Sequence, residues 1–316
     1  MPFHSTVIIG GGWAGLSAAV KLSEKNIPVT VFESAKQLGG RARSIRHDKM
    51  TLDNGQHLMI GAYTEMLSLL ETINVSEKEV FLRITQQLEI LDFKNQSTAF
   101  KLKLPKLPAP FNLLFVMLNC PSLSLKQKIK TLYKFDRLLK TNIKHDISVD
   151  EWLQQAGLPD KYIEYLLKPL CLAALTTHSH EASARAFQSV LRQTFNGPAA
   201  NTDLLIPRKD LSHVFPEAAK RYIESKGGQV LTEHRLSKLN CKDNQITSLL
   251  VNEQIIQADH VILATPANRT LTLLSDSNAC KDINQQLAQL VYEPVTTVYL
   301  QYRPSVKLVL PMMGVI

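Results

Sequence analysis

Residues 7–20 read VIIGGGWAGLSAAV, and the glycines in the middle of that run restrict the fold more than any other feature of the chain. Thr6 to Ile9 is a short β-branched apolar run, which predicts a strand. Leu16, Ala19 and Val20 then recur at helical spacing, so Gly10 to Gly15 lies between a strand and a helix. In Gly10-x-Gly12-x-x-Gly15 the first glycine permits a tight turn and the second lets the backbone approach a pyrophosphate. The third lets helix and strand pack closely. The helix N-terminus presents unsatisfied N–H groups and a partial positive charge to the phosphates. A second strand, Pro28 to Phe32, ends at Glu33, 18 positions after Gly15, where a carboxylate can accept hydrogen bonds from a ribose. Strand, helix, second strand and terminal acid together predict an α/β, Rossmann-like dinucleotide site.

The residues just after Glu33 narrow the dinucleotide. An NAD-type domain usually continues into another helix and parallel strand, whereas here LGGRARS, Leu38 to Ser44, comes at once. Gly39 and Gly40 allow a second close backbone approach, and Arg41 and Arg43 carry guanidinium groups suited to bidentate phosphate contact. The same residues also fit a surface turn with solvated arginines. Further on, Asp53-Asn54-Gly55-Gln56-His57 has two readings. Asn-Gly between apolar runs is a two-residue hairpin signal, while Gln56 and His57 are less easily explained by a turn. His57 is thus a candidate proton donor, and Asp53 is the weaker candidate.

The chain has 316 residues, 45% of them hydrophobic, enough for about two domains with a sizeable core. Cys120, Cys171, Cys241 and Cys280 are scattered without a CxxC pair, which fits a reducing, cytoplasmic setting. No metal site is expected, because His180-Glu181 is followed by Ala184 where a zinc-protease motif would place its second histidine. Met1 to Ser5 carries no basic cluster of a secretory signal, and no apolar run reaches the roughly 18 residues of a membrane span. The net charge of +8 points to an acidic partner surface, anionic lipid or nucleic acid. Nucleic acid is not expected, since the lysines are not interleaved with base-stacking aromatics. Leu125, Ile129, Leu132 and Tyr133 recur at helical intervals, with Lys126, Lys128, Lys130 and Lys134 on much of the remaining surface, a few residues after the apolar PAPFNLLFVML. That stretch predicts either a helix lying at a bilayer interface or a solvated helix packed on the core.

Residues 5–44 resemble the FAD-dependent amine oxidase and phytoene desaturase superfamily, whose N-terminal signature joins a Rossmann fingerprint, an acid ending the second strand and a GGR doublet. A longer series is similar, in order, to the hydroxysqualene dehydroxylases of bacterial hopanoid biosynthesis. It comprises GGGWAGLSAAVKL, QLGGRARS, LDNGQHLMIGAY, SVDEWLQQAG, KPLCLAALTT, EASARAFQSVLR, DLLIPRKDLSHVFPEAA and YEPVTTVYLQY. The resemblance implies a Rossmann-like FAD-binding domain, residues 1–61 with 205–270, and an inserted α+β substrate domain, residues 62–204 with 271–316. It implies FAD contacts at Gly10, Gly12, Trp13, Ala14, Gly15, Glu33, Gly39, Gly40, Arg41, Arg43, Gly55 and Gln56, with Leu236 at the adenine. On the residues alone Leu236 reads equally as a core leucine. The implied reaction reduces hydroxysqualene, a C30 isoprenoid alcohol, to squalene, with an unidentified electron donor; the basic charge and the lysine-rich stretch add an expected peripheral contact with the inner face of an anionic membrane. A carotenoid or phytoene desaturase, an amine oxidase-type flavoenzyme and a non-catalytic FAD-binding remnant are the other readings. Relatives continue beyond the position of Ile316, so strands near the end are expected to lack sheet partners.

Overall fold

The computed structural model describes residues 6–85, 87–92, 97–103, 105–108, 111, 124–242, 245–275, 280–303, 305–308, 310 and 313–315. Cys120 and, apart from Pro108 and Phe111, the run PAPFNLLFVML lie outside the described residues. The chain forms two compact units: Met1–His57 with Thr64–Leu82 and Pro207–Tyr292, and Leu58–Tyr63 with Arg83–Ile206 and Glu293–Ile316. Residues 64–82 and 271–292, expected from sequence in a substrate domain, thus belong to the first unit.

In the first unit, β1 (Thr6–Ile9) leads into α1 (Trp13–Glu24) and returns through β2 (Val29–Phe32). The antiparallel strands β3 (Ser44–His47) and β4 (Met50–Asp53) come next, and then, far along the chain, β5 (Gln229–Leu231). Three strands, β6 (Leu236–Lys242), β7 (Gln245–Val251) and β8 (Gln254–Ile256), form an antiparallel meander, and β9 (His260–Leu263) comes last. The main sheet is wholly parallel, in the order β5-β2-β1-β9.

Physical pattern explains these elements. Val7, Ile8, Ile9 and Val31 are buried, as a sheet covered on both faces requires. Leu16, Ala19 and Val20 of α1 are fully buried, so the predicted helical stripe is the one that packs. On the meander side, Val7, Ile9 and Phe32 share a core with Leu236, Leu239, Leu249 and Val251. Each such aliphatic side chain contributes about 1.5–3 kcal/mol when fully buried.

From sequence, GGQVLTEHRLSKL reads as one strand after a Gly227-Gly228 turn and ADHVILATP as a buried strand of a parallel sheet, and the structure departs from both in detail. The stretch GGQVLTEHRLSKL is two strands rather than one: the chain leaves the parallel sheet at Leu231 and enters the meander at Leu236, with Glu233 between them at φ +58°. The segment ADHVILATP is parallel as expected but only half-buried, because β9 is the outer strand beside β1.

The second unit is mainly helical around a core that includes Phe135, Leu139, Trp152, Leu153, Phe187 and Leu191. A capping box at Ser124 and Gln127 starts the helix Leu125–Lys140, and another at Ser148 and Glu151 starts Val149–Ala156. A single π-helical turn, Ile163–Leu167, precedes Lys168–Leu175, where Pro169 cannot donate to the helical ladder. Cys171 is buried there, and burial, aided by Asp150, pushes its thiol up to about 11. It behaves as a small apolar core residue. Among the described residues, no helix is long and apolar enough to cross a membrane, and no group of three His, Cys, Asp or Glu is placed to hold a metal.

Candidate functional site: a cleft over the glycine turn

A cleft of about 800 Å³ opens in the first unit where β1, β2 and β9 end. The carboxyl end of parallel strands is where open α/β sheets bind ligands, and the volume lies within the usual range for such sites, about 300–1,000 Å³. Its floor consists of two glycine segments brought face to face. Gly39 N–H donates to the Gly11 carbonyl at 2.8 Å, and Gly12 and Gly39 form a parallel bridge. Gly40, at φ +60°, lies so close that a Cβ on it would come within 3.2 Å of the Gly12 Cα. A Cβ on Gly15 would fall 1.9 Å from the Gly10 carbonyl oxygen, which is the helix–strand contact expected of the third glycine. No side chain caps the first turn of α1 at Gly12, so that turn keeps its N–H groups for a ligand in the cleft.

Three features mark the cleft as a site for a diphosphate with a ribose. Arg43 lines it, and the Nε of Arg43 is buried without a hydrogen-bond partner. A buried guanidinium donor left unpaired costs about 1–3 kcal/mol or more, a penalty that an anion in the cleft removes. Glu33 is held ready, its Oε2 accepting the Gly11 N–H and its Oε1 the Ala35 N–H, each at 2.7 Å. The Ser34 hydroxyl also donates to Oε1, at 3.3 Å, so of the roughly four acceptor positions of a carboxylate one remains for a ribose hydroxyl. Third, the Trp13 Nε1–H donates to the Ala42 carbonyl at 2.7 Å, tying the arginine loop to the start of α1, while its ring packs 5.2 Å from that of Phe215.

The cleft gathers most of the residues that the sequence singled out: Gly10, Gly12, Trp13, Ala14, Glu33, Gly39, Gly40, Arg41, Arg43, His57 and Leu236. Leu236 is both buried and cleft-lining, and its carbonyl accepts from Arg269 Nη2 at 2.8 Å. Gly15, Asp53, Gly55 and Gln56 are not on the lining. Asn54-Gly55 is no hairpin turn, since β4 pairs with β3 through a turn at Asp48 and Lys49. Instead Asn54 braces the arginine loop, its N–H donating to the Arg43 carbonyl at 2.8 Å and its Nδ2 to the Arg41 carbonyl at 3.1 Å. Asp53 accepts hydrogen bonds from the Ser44 hydroxyl at 2.9 Å and the Leu211 N–H at 2.8 Å, a bracing position next to the same loop. His57 Nδ1 lies 3.0 Å from the Gly55 carbonyl, which only accepts, so Nδ1 carries the proton and Nε2 remains for exchange.

Sequence reasoning missed His234, Arg269 and the turn Ala264-Thr265-Pro266, all of which line the cleft. His234 stacks on Phe32, with ring centroids 5.7 Å apart. The end of β9 was the available signal: a third parallel strand beside β1 must deliver the residues after it to the same edge.

Comparison with known proteins agrees with this geometry. The family model of flavin containing amine oxidoreductases matches residues 13–311. The chain belongs to that family. As a flavin amine oxidoreductase its cofactor is FAD, which the glycine cradle, Glu33 and Arg43 fit. A hydroxysqualene dehydroxylase of Sinorhizobium fredii is 30% identical over 275 residues, 84% of this chain and 63% of the relative. A 15-cis-phytoene desaturase of Capsicum annuum is 25% identical over 316 residues, 95% of this chain and 53% of the relative. The chain therefore spans between half and two thirds of the length of these relatives. Among solved structures, an oxidoreductase from Methanosarcina mazei superposes with a TM-score of 0.70 at 18% identity, covering 90% of this chain and 65% of that one. That likeness shows the fold, an α/β architecture.

Proposed function

We propose that the protein is an FAD-dependent oxidoreductase of the hydroxysqualene dehydroxylase type, removing the allylic hydroxyl of a C30 isoprenoid alcohol to give squalene. The observation that carries this reading is a glycine-floored cleft lined by Glu33 and Arg43 in a chain that is 28–30% identical to two hydroxysqualene dehydroxylases over 84–86% of its length. Bound FAD, once reduced, supplies a hydride equivalent. The residues of this chain do the remaining work. Gly12, Gly40 and the first turn of α1 admit the diphosphate, Arg43 pairs with it, and Glu33 orients the ribose. His57, its Nδ1–H donated to the Gly55 carbonyl, would deliver from Nε2, with the ring as imidazolium, the proton that a departing hydroxide requires.

The test begins with the visible spectrum of the purified chain, expected to show flavin near one per chain. Anaerobic incubation of the chemically reduced protein with hydroxysqualene should then yield squalene by mass spectrometry. The 25% identity to phytoene desaturase over 95% of the chain favours a second reading, with the same cofactor run in the oxidising direction. Dehydrogenation of phytoene without any squalene selects that reading. A colourless chain that refuses added FAD defeats both and leaves the non-catalytic remnant.

A further inference from the structure

The helix Leu125–Lys140 buries one apolar face and exposes another. Thr131, Phe135, Leu138 and Leu139 face the core of the second unit. Leu125, Ile129 and Tyr133 succeed one another at i, i+4 and i+8 on the opposite side, and are 66%, 58% and 69% exposed. A helix that is only packed on a core presents polar residues there. Here three large apolar side chains occupy the outer row instead, and Arg137 continues it.

The charges around that row are one-sided. The helix carries six cationic side chains against a single acid, Asp136, which is already paired with Lys140 at 2.8 Å. Lys126 and Lys130 lie directly beside the apolar row, both exposed, while Lys134 is engaged with the Gly157 carbonyl and Lys128 is half-buried on the far flank.

We propose that this face, Leu125, Ile129 and Tyr133 edged by Lys126, Lys130 and Arg137, docks on the surface of an anionic lipid bilayer. The apolar row enters the acyl boundary, and the long basic stems keep their charges at the phosphates. The tyrosine is suited to the headgroup level, with an apolar ring and a polar tip. The capping box at Ser124 and Gln127 fixes the first turn, so Leu125 is presented without prior ordering of the helix. A second copy of the chain is the poorer occupant, because two such faces laid together would set Lys126, Lys130 and Arg137 against their own kind.

Vesicle flotation of the full chain tests this without substrate or flavin, so its outcome is independent of the proposed reaction. The chain should float with vesicles in which about a third of the lipid is phosphatidylglycerol and the rest phosphatidylcholine, and far less with pure phosphatidylcholine. A basic residue near an anionic surface changes binding about fivefold, so K126E/K130E should weaken it by about 25-fold or more. I129S/Y133S, which removes two apolar anchors, should weaken it by at least about tenfold. All four side chains are exposed, and melting midpoints are expected to match the parent, which separates lost docking from lost folding. Equal binding of either double variant and the parent overturns the proposal, as does equal flotation with neutral vesicles. Concentration-dependent dimerisation abolished by the same substitutions, without vesicle binding, assigns the face to a second copy and overturns it too.

Discussion

Gly12 and Gly10 are both glycines of one fingerprint, yet the structure sets them different tasks. Gly12 has an ordinary extended backbone, φ −73° and ψ 174°, and a Cβ there would meet only the Gly40 Cα at 3.8 Å. The fold alone tolerates alanine, and the added methyl would instead occupy the floor over which a diphosphate lies. Gly12→Ala is therefore expected to leave the cofactor-free melting midpoint within about a degree while weakening FAD binding by tenfold or more, read by flavin fluorescence titration. Gly10 sits at φ +110° with the Ala264 carbonyl oxygen 2.6 Å from where a Cβ would stand. Gly10→Ala should cost about 2 kcal/mol or more of stability before any cofactor is added. Arg43 supplies a third contrast. Arg43→Met removes a charged donor and should weaken FAD by about 1.5–3 kcal/mol, roughly ten- to a hundredfold, without lowering the melting midpoint of the cofactor-free chain. A destabilised Arg43→Met protein would mean that the guanidinium holds the fold rather than the coenzyme.

At the level of elements, the arginine loop is held in place by a junction between β3, β4 and the helical turn Leu211–Val214. The Ser44 hydroxyl lies 2.7 Å from Asp210 and 2.9 Å from Asp53, with one proton to offer the two carboxylates, while Ser44 and Ser212 exchange N–H···O bonds. Asp210 also caps the turn and pairs with His213 at 2.7 Å. Burial pushes the Asp210 carboxyl up, but the His213 side chain, the Ser44 hydroxyl and the His213 N–H together outweigh it and hold it below 3.8. The bond to Asp210 raises His213 above 6.5, against a smaller opposing effect of burial. A raised histidine contributes stability that is full below 6.5 and fades as pH rises through its folded value. A lowered aspartate contributes above 3.8 and fades as pH falls through its own. The junction is thus strongest between those limits. Melting midpoints of His213→Gln should approach the parent's as pH is raised from about 6 to 9, with the gap widest at the acid end; a gap independent of pH would assign the histidine a packing role only. This junction was invisible in the sequence because it joins residues more than 150 positions apart, whereas β1, α1 and β2 were legible from local spacing alone. The Asn54-Gly55 pair misled for a related reason: its turn propensity is real, but long-range pairing placed the hairpin turn at Asp48 and Lys49.

Across the whole molecule, the division into two units arises from two separate cores, one between a parallel sheet and a meander and one among helices. The glycine fingerprint made the first recognisable, because a dinucleotide fold writes its backbone needs into fixed positions. Capping boxes at Ser124 and Ser148 start helices of the second, but a cap does not reveal which faces of a helix stay outside. The segment after the short helices Ala267–Leu274 and Lys281–Ala288 shows the limit most clearly. Residues 290–303 have the β-branched and aromatic content of strands, yet no strand is formed there, since a strand requires a neighbouring ladder as well as propensity. Val291, Val298, Leu300 and Tyr302 are consequently exposed in one short stretch. An exposed apolar segment of high β propensity is a template for association between chains. The purified protein is expected to self-associate with rising concentration, and Val298→Lys with Leu300→Lys should suppress this, as tracked by light scattering. Flavin content should be unchanged, since neither residue lines the cleft. Self-association that survives both lysines would show that a different surface drives it.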